Sequence, residues 1–164
     1  MTPTARLAGV NMVAFSTDTE VAGDGVYLLG HTSRQQVDRL VAYAVESGLT
    51  RFAVLAPSTP YGRSVAAQTR DAVAKAGGEF ARVAFYAADA SDAEDVVRGL
   101  ADYDQRHGAL VAQRDALSQR DDEISARALR RLEGLDTLGD VAFDALLLPD
   151  GGESLRQVVP LLPY

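Results

Sequence analysis

Three short polar segments carry the side chains best suited to contact a ligand. Ser16-Thr17-Asp18 follows the apolar run Met12 to Phe15. Ser58-Thr59-Pro60-Tyr61-Gly62 follows the apolar stretch from Phe52 to Ala56. Asp150-Gly151-Gly152-Glu153 follows Phe143 to Leu148. Apolar runs that end abruptly in small polar residues are how buried parallel strands deliver hydrogen-bonding groups to the rim of a sheet. Hydroxyls, free backbone N–H groups and carboxylates can hold a small polar molecule there, with Tyr61 stacking on it or closing over it. The expected ligand-binding set is therefore Ser16, Thr17, Asp18, Thr59, Tyr61, Asp150, Gly151 and Glu153. The same residue types also cap helices and form turns, so each one has a purely structural reading beside the functional one.

Chemistry beyond binding finds little support. The chain has no Cys, which removes disulfides, thiolate metal sites and cysteine nucleophiles. His31 and His107 are far apart and outside metal-ligand spacing, and they read as solvated or capping residues. Gly23-Asp24-Gly25 and Gly77-Gly78 lack the phosphate-binding glycine patterns. Asp18 and Asp150 can act as acid and base, but no nucleophile or electrophile accompanies them. Asp121-Asp122-Glu123 reads as a solvated helix face. No enzymatic activity, cofactor or metal is expected. The net charge of −7 disfavours nucleic acid and anionic membranes as partners. No apolar run has the roughly 18 residues of a membrane span. The N-terminus lacks the apolar core of a signal peptide.

The elements that must position these groups are legible from periodicity. Residues 11–15 and 26–29 read as short strands. Ser33 and Gln36 read as a capping box, opening a helix with Val37, Leu40, Val41, Ala44 and Val45 on one stripe, stopped by Gly48. Residues 51–56 form a buried strand, followed by a helix over 63–76 with Val65, Ala66, Thr69, Ala72, Val73 and Ala76 inward. Residues 79–86 form a strand. A second capping box, Ser91 with Glu94, opens a helix to about Arg106. Residues 109–133 lack Gly and Pro and carry Leu110, Leu117 and Ile124 seven apart. That spacing predicts one long helix, roughly 35–40 Å, with a narrow apolar seam. Residues 143–148 form a third buried strand, and a last helix starts near Glu153. Alternation of this kind gives an α/β fold: three layers (αβα) around a small parallel sheet. At 164 residues, 47% of them apolar, the chain suits one domain, or one with part of another.

Val13-Ala-Phe-Ser-Thr-Asp18, the helix from Ser33 with Gln35-Gln36, Arg51-Phe-Ala-Val-Leu55, Pro60-Tyr61-Gly62, and Phe143-Asp-Ala-Leu-Leu-Leu148 followed by Gly151-Gly152 occur in that order. In this the chain resembles the middle of a type I periplasmic binding protein of the Leu/Ile/Val-binding-protein-like group. The long inserted helix and Leu147-Leu-Pro-Asp-Gly-Gly-Glu-Ser-Leu155 resemble the penicillin-binding-protein-activator branch. The resemblance implies two lobes closing over a ligand, with residues 1–30 as inter-lobe strand and linker. Residues 31–164 become an incomplete Rossmann-like lobe with a helical insertion at about 107–135. It implies ligand contacts from Ser16, Thr17 and Tyr61 and from the Asp150–Glu153 loop, and a small polar ligand such as an amino acid or peptide fragment. It implies a periplasmic or cell-envelope location for the full-length protein. The activator branch implies a different partner, a peptidoglycan synthase regulated by protein contact. A partial parallel sheet leaves backbone edges and apolar faces open, so a homodimer is expected.

Overall fold

A computed structural model describes residues 4, 7–16, 21–30 and 32–162. Among these residues, five strands and six helices follow in the order β1 (Met12–Ala14), β2 (Val26–Leu28), α1 (Ser33–Glu46), β3 (Arg51–Pro57), α2 (Pro60–Lys75), β4 (Glu79–Tyr86), α3 (Ala93–Leu100), α4 (Tyr103–Ser118), α5 (Glu123–Leu132), β5 (Ala145–Leu147) and α6 (Gly152–Val158). A 3₁₀ turn over Val159–Leu161 ends the described chain.

β3 is the centre of a parallel three-stranded sheet of order β4-β3-β5. Its apolar run is buried from Phe52 to Pro57 because helices cover both faces. Phe52 packs with Val37 and Val41 of α1 and with Val65, Ala72 and Val73 of α2. Val54 and Ala56 pack with Ala66 on the same side. Ala53 and Leu55 point the other way, onto Val97 and Leu100 of α3 and Val158 of α6. The period-2 alternation of one strand thus sorts the helices into two layers, and the expected αβα arrangement is observed. A register irregularity between Phe52 and Ala53 offsets β4 by one residue.

β1 and β2 form a separate two-stranded parallel sheet, with Met12 opposite Val26, Val13 opposite Tyr27 and Ala14 opposite Leu28. One face of it is open: Val13, Phe15, Tyr27 and Leu29 are all exposed.

Several local expectations are corrected. The box that opens α1 is Thr32 with Gln35, one residue earlier than Ser33 with Gln36: Thr32 Oγ1 accepts from Gln35 N–H, and Gln35 Oε1 accepts from Thr32 N–H. Leu40 is exposed, whereas Val37 and Val41 are buried and Ala44 and Val45 pack against the same cluster. The helix expected from Ser91 to Arg106 is two helices. Asp92 is the N-cap of α3, but its carboxylate accepts from Ala87 N–H at 2.7 Å, and Ser91 Oγ bonds Asp89 instead. Asp102, at φ +49°, then turns the chain into α4. Arg82 locks this corner, donating to both Asp102 carboxylate oxygens and to the Leu100 carbonyl.

The single long helix over 109–133 is instead the hairpin of α4 and α5. Asp122 breaks it. Its backbone is extended, and its carboxylate accepts from Ser125 N–H and Ser125 Oγ, both at 2.8 Å, which starts a new helix. The return leg is tied down by arginines of α4: Arg114 donates to Leu132 and Leu135 carbonyls, and Arg106 to the Gly139 carbonyl. Leu110 is buried, but Ile124 is 82% exposed, so the seven-residue seam does not form.

Candidate functional site

In a parallel sheet the C-terminal strand ends share one edge, and here they bring two of the three polar loops together. Pro57 and Tyr86 are paired at the ends of β3 and β4, and Ser58 N–H donates to the Tyr86 carbonyl at 2.8 Å. Thr59 is the N-cap of α2: its Oγ1 accepts from Gly62 N–H at 3.1 Å, with Pro60 opening the first turn. Gly62 is buried against the loop itself, and a Cβ there would collide with the Pro57 carbonyl oxygen. The loop is therefore tight, and it leaves Tyr61 56% exposed at the edge.

The loop after β5 is fixed by Asp150. Its carboxylate accepts from the Tyr86 hydroxyl at 2.5 Å, the Ser154 hydroxyl at 2.6 Å and Gly151 N–H at 2.8 Å. Tyr86 is fully buried on the α3/α6 face, so it reaches past the central strand to hold the far loop. Partial burial pushes the Asp150 carboxyl up, but the Ser154 and Tyr86 hydroxyls and Gly151 N–H outweigh it and hold the group below the usual carboxylate range. Burial, then the bond to Asp150, push the Tyr86 hydroxyl well above the ordinary tyrosine value, so it stays a donor.

Thr59 and Asp150 thus already have hydrogen-bond partners within the chain, and Gly151 N–H is turned to Asp150. Tyr61 and Glu153 stand free of such tethers to the sheet. Glu153 is exposed in the first turn of α6 and meets Arg156 at 3.5 Å. Ser16 lies two residues beyond β1, which belongs to the other sheet. Thr17, Asp18 and His31 lie outside the described residues. Sequence reasoning missed Tyr86 and Ser154. The spacing of Asp150 and Ser154, one helical turn apart, is the signal for the second; Tyr86 gives none beyond ending a strand.

Among the described residues, no group of three or more His, Asp or Glu side chains is placed to hold a metal. His107 caps rather than ligates: its Nδ1 lies 2.8 Å from the Asp136 carbonyl oxygen, and its ring stacks on Tyr103 at 5.6 Å. A mostly apolar cavity of about 520 Å³ lies elsewhere, between Val97 and Leu100 of α3, Phe143, Leu146 and Leu161. None of the rim residues named above lines it.

The described geometry can present hydrogen-bonding groups and one aromatic ring to a ligand. The family model of the periplasmic binding proteins matches residues 1–106, more than half of the chain. A solved structure of similar fold is an ABC transporter substrate-binding protein from Desulfitobacterium hafniense, at 18% identity and a TM-score of 0.53. That match covers 63% of this chain and 31% of the other, so the chain spans less than a third of that structure. No curated protein matches. The family match takes in the run from β1 to the start of α4, and the likeness of fold agrees with the αβα lobe that the resemblance implied. The chain belongs to the periplasmic binding protein family.

Proposed function

We propose that this chain supplies a ligand-binding wall of an extracytoplasmic solute-binding protein. The observation that carries this reading is the rim at the C-terminal edge of β3, β4 and β5. Two loops from non-adjacent parts of the chain are fixed there through Tyr86, and Tyr61 is left exposed between a capped helix start and the edge. Held backbone and a free aromatic ring are what a pre-formed site for a small polar molecule requires. The ligand class is an amino acid or a peptide fragment. Ser16, Thr17 and Asp18, beyond β1, are proposed for the facing wall. Residues 1–30 then act as an inter-lobe segment and residues 31–164 as the lobe proper. Family membership supports an extracytoplasmic location for the full-length protein and a binding role without catalysis. The test is backbone-amide NMR with amino acids, short peptides and muropeptides. Shifts clustered at residues 58–62 and 150–153 support the reading; shifts elsewhere or none reject it.

A second reading is regulation of a peptidoglycan synthase by protein contact, as in the penicillin-binding-protein-activator branch. The α4–α5 hairpin favours it, because its turn end carries Ile124 at 82% exposure. Ile124→Asp tests it: pulldown of the synthase is lost if this surface is used, and unchanged pulldown rejects it.

A further inference from the structure

β4 is the outer strand of the three-stranded sheet, and eight residues of its backbone, Glu79–Tyr86, have no strand beside them on the far side among the described residues. Long free edges invite pairing, and folded proteins usually blunt them. Two features here do more than blunt the edge.

The first is charge. Arg63 and Arg70 of α2 stack over the Phe85 and Phe80 rings of β4, each at 5.0 Å. Neither arginine has a carboxylate partner among the described residues. Stacking holds both guanidinium groups beside the edge while leaving their donors unspent. In a chain of net charge −7, this is a local concentration of unpaired positive charge.

The second is space. A groove of about 560 Å³ runs along the edge towards α3, lined by Arg82, Val83, Ala84 and Phe85 of β4 and by Val96, Gly99 and Leu100 of α3, with Arg82 already paired to Asp102. Gly99 is helical, and a Cβ at this position would meet nothing within 4 Å. After proline, glycine is the poorest helix former, and no contact inside the chain requires it there. Its effect is to keep the groove clear for a closely approaching backbone.

We propose that β4 takes up an extended acidic segment of a partner protein as a fourth strand. The backbone of that segment pairs with the edge of β4. One row of its side chains sits in the groove over Gly99, and acidic side chains on the other row meet Arg63 and Arg70. A second copy of this chain fits less well: antiparallel pairing of two β4 edges about a two-fold axis brings the arginines of one copy beside those of the other.

The test uses the chain itself and a fluorescent probe peptide of about eight residues alternating valine and glutamate. Expected are binding at low salt, slowed amide exchange confined to residues 79–86, and no binding of the valine–lysine counterpart. Gly99→Leu fills the groove and should weaken binding about tenfold or more while leaving the circular dichroism spectrum unchanged. Arg63→Glu with Arg70→Glu should turn the preference to the lysine peptide. The proposal is overturned if the glutamate peptide does not bind, if it slows exchange elsewhere, or if Gly99→Leu leaves its affinity unchanged. Self-association of the free chain through residues 79–86 overturns it too. Should the charge-reversed variant fail to fold, the Gly99→Leu arm decides.

Discussion

Tyr86, on one outer strand of the sheet, donates a 2.5 Å hydrogen bond to Asp150, beyond the other outer strand. The bond ties the ends of β4 and β5 together across β3, and with the Ser154 hydroxyl it sets the loop that opens α6. Removing the donor leaves a partly buried carboxylate short of one partner. Tyr86→Phe should therefore cost about 1–2 kcal/mol in urea unfolding at neutral pH. It should also speed amide exchange at residues 150–154 more than in α2.

Gly62→Ala tests the tightness of the other rim loop. The added Cβ has no place to go, because the Pro57 carbonyl oxygen fills its position and, being backbone, cannot swing aside. A destabilisation of about 3 kcal/mol is expected, at the upper end for overpacking. Gly99→Ala, where nothing lies within 4 Å, should leave stability unchanged or raise it. The pair of melting temperatures checks the contrast.

Acid stability should depend on Asp144. It accepts from Thr50 N–H, Arg51 N–H and both Nε and Nη2 of Arg51, at the edge of the sheet opposite the rim. The Arg51 side chain first, then the backbone N–H groups of Arg51 and Thr50, hold its carboxyl far below its ordinary value of 3.8. A depressed folded-state pKa stabilises the fold above the unfolded value, and that stability is lost as the pH falls below it. Melting temperature should thus fall from about pH 4 downward. Asp144→Asn should melt lower at pH 7, and its curve should run flatter in the acid range, so that the two proteins converge.

The homodimer expected from the sequence is tested at the open face of the small sheet. Val13, Phe15, Tyr27 and Leu29 lie on one side of β1 and β2, each more than half exposed. Parallel sheets are normally covered on both faces. Light scattering at micromolar concentration should give twice the chain mass, and Phe15→Asp with Tyr27→Asp should return it to the monomer. A monomeric parent chain defeats this expectation.

Much of the lobe was legible because its signals are local and redundant. Residues 52–57 are apolar without a break, and Val65, Ala66, Thr69, Ala72 and Val73 recur at helical spacing; all five are buried. The hairpin was not legible, because Asp121-Asp122-Glu123 reads equally as a solvated face and as a turn. Only the Asp122–Ser125 bonds decide it. At the rim, Thr59, Tyr61 and Asp150 could be named from strand ends, but not the partition of their duties. The pairing of Asp150 with Tyr86 joins residues 64 positions apart, and no pattern in the chain marks it.

The central claim, that the rim binds a small polar solute with Tyr61 against it, is tested most directly by ligand-dependent melting of the parent and Tyr61→Ala proteins. A ligand at about 100 times its Kd adds about 2.7 kcal/mol to the folded state, which raises the melting temperature by several degrees. Such a rise is expected for at least one amino acid, short peptide or muropeptide. It is expected to be lost in Tyr61→Ala, whose own melting temperature without ligand is unchanged because the side chain is exposed. A rise that persists in Tyr61→Ala, or none with any of these compounds, contradicts the claim.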